Sequence, residues 1–152
     1  MAELIHATAI SVAGRAVLIR GPSGFGKSDL ALRCLAVTRP PFASEPPQLV
    51  ADDQVMAEVA EGGVQLRPPA SIAGLIEVRG WGVIRIGSVA QARLELVADL
   101  VDPGETERLP DPAFSVLVCG VEFPALRIAP FEASAPHKLL LALETIAQRT
   151  PG

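Results

Sequence analysis

Residues 21–28 read Gly-Pro-Ser-Gly-Phe-Gly-Lys-Ser and match G-x-x-x-x-G-K-[ST] at every fixed position. No other stretch constrains the fold as tightly, because such a loop must be entered from a strand and left through a helix. The flanks agree with that demand. Arg15 to Arg20 (RAVLIR) is a short apolar run suited to a strand. Leu30, Ala31, Cys34, Leu35 and Val37 recur at helical spacing after the loop. At ordinary residue usage the pattern arises by chance in roughly one chain in two hundred of this length. The loop's glycines let successive backbone N–H groups of Gly21, Pro22, Ser23, Gly24, Phe25 and Gly26 line one concavity, proline excepted. The helix that starts near Lys27 adds its partly positive end. Lys27 brings a full charge to β- and γ-phosphates, and the Ser28 hydroxyl suits a Mg²⁺ ion chelated by the same phosphates. The ligand expected is Mg-ATP.

The remaining pattern is rich in short strands. Leu4 to Ile10 alternates, and Ala13-Gly14 turns the chain back into 15–20, which predicts a hairpin. Gln48 to Met56 has a strand's composition up to Asp52-Asp53, and Gly62-Gly63 turns a hairpin between 55–60 and 64–67. Leu75 to Ile86 is two β-like runs broken by Gly80 and Gly82. Ala92 to Val101 is read as a strand on its alternation, although its composition also allows helix. Strands are expected at 114–119 and 122–128, and a second helix at Pro136 to Gln148 with Leu139, Leu140, Leu143, Ile146 and Ala147 on one face. The four prolines within 38–47 exclude helix and central strand, leaving a surface loop, either a spacer or a recognition lid. The polar, proline-punctuated stretch 103–112 reads as a turn. Only two segments are clearly helical, so regular βα alternation is absent. The expectation is an α/β fold with a mixed, strand-rich sheet, largely antiparallel in connectivity, in a single domain over residues 1–152.

Composition closes off other classes. With 49% hydrophobic and 20% charged residues the chain reads as globular rather than disordered. A net charge of −4, no Tyr and one Trp argue against a nucleic-acid surface. Cys34 and Cys119 form no zinc pattern and read as free, buried thiols. No signal-peptide pattern opens the chain and no apolar run is long enough to span a membrane, so a cytoplasmic location is expected.

Several side chains are candidates for chemistry. An Asp at the end of a strand beside a phosphate loop can hold Mg²⁺ directly or through water. Asp52 and Asp53 are consecutive and should face opposite ways, one toward the metal and one toward a neighbour or solvent. Glu77 and Arg79 share a face in Ile-Glu-Val-Arg-Gly-Trp-Gly (76–82), either to bind metal and phosphate or as a surface ion pair. His6, among apolar neighbours on the first strand, reads as structural more readily than catalytic. His137 and Lys138 open the last helix and read as solvated, with Lys138 within reach of an anion.

Taken together, His6, GPSGFGKS at 21–28, LVADD at 49–53 and IEVRGWGVI at 76–84 resemble the kinase domain of HPr kinase/phosphorylase, in order and in spacing. That bacterial enzyme phosphorylates a serine of the phosphocarrier protein HPr. The resemblance implies a fold similar to the nucleotide-binding part of phosphoenolpyruvate carboxykinase. It implies Asp52 as the proton acceptor for the substrate serine, Lys27 as the catalytic lysine, Ser28 and Glu77 as Mg²⁺ ligands and His6 as an active-site histidine, with Asp53 a supporting metal candidate. It also implies ATP and Mg²⁺ as cofactors and an HPr-like protein as partner, and leaves homo-oligomerisation open. Three features depart from the family pattern. The N-terminal domain of the long members is not represented, as in the short form expected in α-proteobacteria. Residues 133–138 read Ala-Ser-Ala-Pro-His-Lys where the family has Gly-Arg-Asn, so its late arginine has no match and the phosphorylase direction stays open. The loop 38–47 replaces a short connection. Two other readings fit the same scaffold: a small-molecule kinase, and a non-catalytic ATP-sensing regulatory module.

Overall fold

The computed structural model describes residues 1–38, 45–106 and 114–149. The central residues of the proline-rich loop (39–44) and of the 103–112 turn (107–113) lie outside these, so the readings made for them are not addressed. Eleven strands and two α-helices are present among the described residues. The strands are β1 (Glu3–Ile5), β2 (Thr8–Val12), β3 (Arg15–Arg20), β4 (Gln48–Ala51), β5 (Val55–Ala60), β6 (Gly63–Arg67), β7 (Leu75–Val78), β8 (Gly82–Arg85), β9 (Ala92–Leu100), β10 (Ser115–Val118) and β11 (Val121–Ile128). The helices are α1 (Lys27–Leu35) and α2 (Ala135–Arg149).

Nine strands form one sheet in the order β1-β5-β6-β9-β3-β2-β4, with β11 also pairing β9 and β10 pairing β11. The hairpins β2–β3, β5–β6 and β10–β11 are antiparallel, as their turn residues require. The parallel pairs are β3–β9 and β9–β11. The sheet is therefore mixed, with antiparallel edges around a short parallel centre. β7 and β8 make a separate two-stranded hairpin.

β9 holds this arrangement together. One edge pairs with β3 along most of its length; the other serves β6 near its start and β11 near its end. Its side-chain parity changes midway. Ala16 pairs Leu94, but Val17 pairs Leu96, so Glu95 is an extra residue, a β-bulge. Leu94 accordingly joins the core on one face, with Leu18, Val50 and Leu66, while Leu96 joins the core on the other. That second face is covered by the helices. Ile10, Val17, Ile19, Leu96 and Leu100 from the sheet meet Leu30 and Cys34 of α1 and Leu139, Leu140 and Leu143 of α2. Arg15 fastens α2 to the start of β3, donating to the Leu143 carbonyl at 3.1 Å and to Glu144 at 2.9 Å.

Two details differ from the sequence reading. The first strand is interrupted at His6–Ala7, because β1 pairs β5 whereas β2 pairs β3 and β4. Only Cys34 is a buried thiol. Cys119 is half-buried and lies just past β10 with φ +52°, donating to Glu3 at 3.4 Å.

Leu139 is fully buried and Leu141 is 48% exposed on the same helix. Leu139→Ala is expected to cost about 2–5 kcal/mol in urea unfolding, while Leu141→Ala stays within about 0.5 kcal/mol. Equal effects would contradict this packing. Burial pushes the Cys34 thiol up to about 12, against a smaller opposing effect of Arg33. Native protein should therefore leave Cys34 unalkylated by iodoacetamide until it is unfolded, as read by mass spectrometry.

Candidate functional site

The loop 21–26 leaves β3 at the C-terminal end of the parallel centre and delivers the chain into α1, whose first bond runs from Leu30 N–H to the Gly26 carbonyl at 2.9 Å. Within the loop, Phe25 N–H closes a turn onto the Pro22 carbonyl at 3.0 Å. Gly26 sits at φ +101°, in the left-handed region. A Cβ there would also lie 2.8 Å from the Phe131 ring. The positive φ thus favours glycine here, and a side chain would also displace the Phe131 ring. The Lys27 side chain is buried, and its ammonium donates to the carbonyls of Gly21 at 2.7 Å and Pro22 at 3.2 Å.

Asp52, 5% exposed, is the meeting point of the site. Its carboxylate accepts from the Ser28 hydroxyl at 2.5 Å, the Thr8 hydroxyl at 3.1 Å and the Glu77 backbone N–H at 2.9 Å. A buried carboxylate needs such donors, and these three come from α1, β2 and β7. The Thr8 hydroxyl in turn accepts from Asp53 N–H at 3.2 Å. Ser28 and Asp52 are therefore brought together, with Thr8 a further partner of Asp52 that the sequence reading missed, while Lys27 turns its ammonium to the loop's own carbonyls. A threonine in an apolar strand carries no local signal of its partner 44 residues away.

The other candidates sit differently. Asp53 does face away from Asp52, but through a turn and not through the pleat: β4 ends at Ala51, and Asp53 is exposed with φ +68°. Glu77 and Arg79 are both exposed, and Glu77 meets Asp52 through its backbone. His6 is exposed at the break between β1 and β2 and not enclosed by apolar neighbours. His137 is exposed, and Lys138 pairs with Glu132 at 2.8 Å.

No group of three or more His, Cys, Asp or Glu side chains suited to a metal occurs among the described residues. The oxygen donors that are present fit Mg²⁺ all the same. This ion is commonly held by one or two carboxylates together with substrate phosphates. The touching Ser28 hydroxyl and Asp52 carboxylate supply such oxygens beside the phosphate loop, and Glu77 lies next to them through its backbone.

The family model for the HPr serine kinase C-terminal domain matches residues 1–145. HPr kinase/phosphorylase of Burkholderia lata is 30% identical over 156 aligned positions, which cover 96% of this chain and 45% of that protein. The HPr kinase/phosphorylase of Cupriavidus metallidurans is similar to the same extent, 30% with the same coverage. The chain thus spans about half (45%) of the length of these curated relatives. The structure of the HPr(Ser) kinase/phosphatase from Coxiella burnetii superposes with a TM-score of 0.73 at 24% identity, over 96% of this chain and 88% of that one, a likeness of fold. By the match over 1–145, the chain belongs to the HPr serine kinase C-terminal domain family.

Proposed function

We propose that this domain transfers the γ-phosphoryl group of ATP to a seryl hydroxyl of an HPr-like phosphocarrier protein, regulating carbon metabolism from the cytoplasm. The observation that carries the reading is the 2.5 Å contact between Ser28 and Asp52, which sets an acid directly against the phosphate loop. The names of the relatives, HPr kinase/phosphorylase, point to the same acceptor. No described helix is long and apolar enough to cross a membrane.

In this mechanism the amides of 21–26 and the ammonium of Lys27 stabilise negative charge that spreads over the transferred group. Lys27 exchanges its two carbonyl partners, Gly21 and Pro22, for phosphate oxygens. Bound Mg²⁺, held by Ser28 and Glu77 with Asp53 as a further candidate, would neutralise phosphate charge. Asp52 accepts the proton of the attacking hydroxyl. Thr8 and the Glu77 N–H fix the orientation of that carboxylate. His6 is the remaining active-site candidate, exposed at the break between β1 and β2. The same Ser28 contact also favours a second reading, in which Asp52 belongs to the metal's ligand shell.

Asp52→Asn separates these. As base, Asp52 is worth about 10²–10⁴-fold in transfer to HPr serine, with ATP affinity and Mg²⁺ requirement retained. A raised Mg²⁺ requirement would instead assign it to the metal, and full activity would remove it from both roles. Lys27→Ala should lower transfer and ATP affinity together, measured with labelled ATP and by calorimetry. Label on HPr serine supports the protein-kinase reading. Label only on a small acceptor would favour a small-molecule kinase, and tight ATP binding without transfer a sensor.

A further inference from the structure

The hydrogen bonds on Asp52 are divided unequally between its two oxygens. Oδ1 accepts from both the Ser28 and the Thr8 hydroxyls, whereas Oδ2 accepts from the Glu77 backbone N–H. A carboxylate oxygen offers two acceptor positions. Hydroxyls fill both on Oδ1, and one on Oδ2 is uncommitted among the described residues. The carboxylate is thus anchored through one oxygen and open at the other, on the side of β7.

Thr8 is placed for this carboxylate. It is fully buried in β2, and Ala7, Ala9 and Ile10 around it are fully buried too. A hydroxyl shut away from water costs stability unless it finds partners. Both of its partners lie just past β4. Ala9 pairs Ala51 across the antiparallel β2–β4 ladder, so the adjoining residues Thr8 and Asp52 meet beyond the end of that ladder. Asp53 N–H donates to the Thr8 oxygen at 3.2 Å, and the hydroxyl's own proton goes to Asp52 at 3.1 Å. Valine has the same branched shape and would suit the apolar neighbours, so packing does not call for the hydroxyl. Ser28 also donates to Asp52, but it is proposed as a Mg²⁺ ligand as well. Thr8 has no such second role.

We propose that Thr8 is a positioning residue for phosphoryl transfer: its hydroxyl holds Oδ1 of Asp52 and so presents Oδ2 as the atom that takes the proton of the attacking serine. This deepens the reading of Asp52 as base and rests on it. The seryl O–H bond breaks and its proton passes to the open position of Oδ2. The seryl oxygen forms a bond to the γ-phosphorus. The bond from that phosphorus to the β–γ bridging oxygen breaks, and ADP leaves with the electron pair. The acceptor hydroxyl therefore meets the carboxylate oxygen that Glu77 N–H holds. Without the Thr8 hydroxyl the carboxylate turns more freely about its bond to Cβ, and Oδ2 leaves the path of the serine.

Transfer to HPr serine, ATP affinity and thermal unfolding, measured on variants, test this. Thr8→Val should lower kcat by roughly 10- to 100-fold, the cost of a misplaced catalytic group, with KM for HPr and Kd for ATP unchanged. Thr8→Ser, which keeps the hydroxyl, should restore most of the rate. Combined with Asp52→Asn, Thr8→Val should lower the rate no further, because it acts through the carboxylate. Thr8→Ala removes the same hydroxyl and is read in the same way where Thr8→Val does not fold. In a crystal structure with HPr, Mg-ADP and aluminium fluoride, the seryl oxygen should meet the Asp52 oxygen bonded to Glu77 N–H. Undiminished kcat in Thr8→Val, a Thr8→Ser as slow as Thr8→Val, a full further loss in the double variant, or the serine against the other oxygen would each overturn this inference while a slow Asp52→Asn leaves the base in place. A fully active Asp52→Asn would overturn the base reading and this inference with it.

Discussion

One buried carboxylate joins four parts of the chain that are distant in sequence. Asp52 takes hydrogen bonds from residues 8, 28 and 77, and so ties β2, the first turn of α1 and the β7–β8 hairpin to the end of β4. A carboxylate removed from water in this way is stable only while its donors stay in place. The hairpin lies outside the main sheet, and the bond from Glu77 N–H is its polar attachment to Asp52 beside the phosphate loop. The same carboxylate therefore locates the start of α1 and the hairpin relative to one another.

The sheet supplies the platform. β9 must face one core with Leu94 and the other with Leu96, and a strict two-residue alternation cannot do both. The extra residue at Glu95 resolves the conflict and puts Leu96, Ala98 and Leu100 under the helices. Beyond the bulge β9 continues parallel to β3 and β11, so that three strands end side by side. The phosphate loop, the Val101–Pro103 segment and the 129–132 turn all start from those ends.

Features governed by local chemistry were legible in the sequence. The loop and its strand and helix, the Gly-turned hairpins and the apolar face of α2 each depend on residues a few positions apart. The run 92–101, read as a strand despite helix-compatible composition, is a strand over Ala92–Leu100. What escaped depends on distant pairing. The break at His6–Ala7 exists because β1 and β2 find different partners. Thr8 matters through the distant Asp52 and Asp53, and the bulge at Glu95 has no glycine to announce it. Asp52 and Asp53 diverge as expected, but through the left-handed backbone of Asp53, a property of the turn after β4. A pocket by Phe131 joins segments from three places and has no sequence pattern.

The central claim is that the phosphate loop and the Asp52 cluster act on one triphosphate. A crystal structure of the protein with Mg²⁺ and a non-hydrolysable ATP analogue tests it most directly. The account predicts that the Lys27 ammonium leaves the carbonyls of Gly21 and Pro22 for phosphate oxygens. It also predicts the Asp52 carboxylate within about 3 Å of an acceptor hydroxyl or of a water beside the γ-phosphate. A triphosphate bound elsewhere, or one on the loop with its γ-phosphate directed away from Asp52, would contradict it.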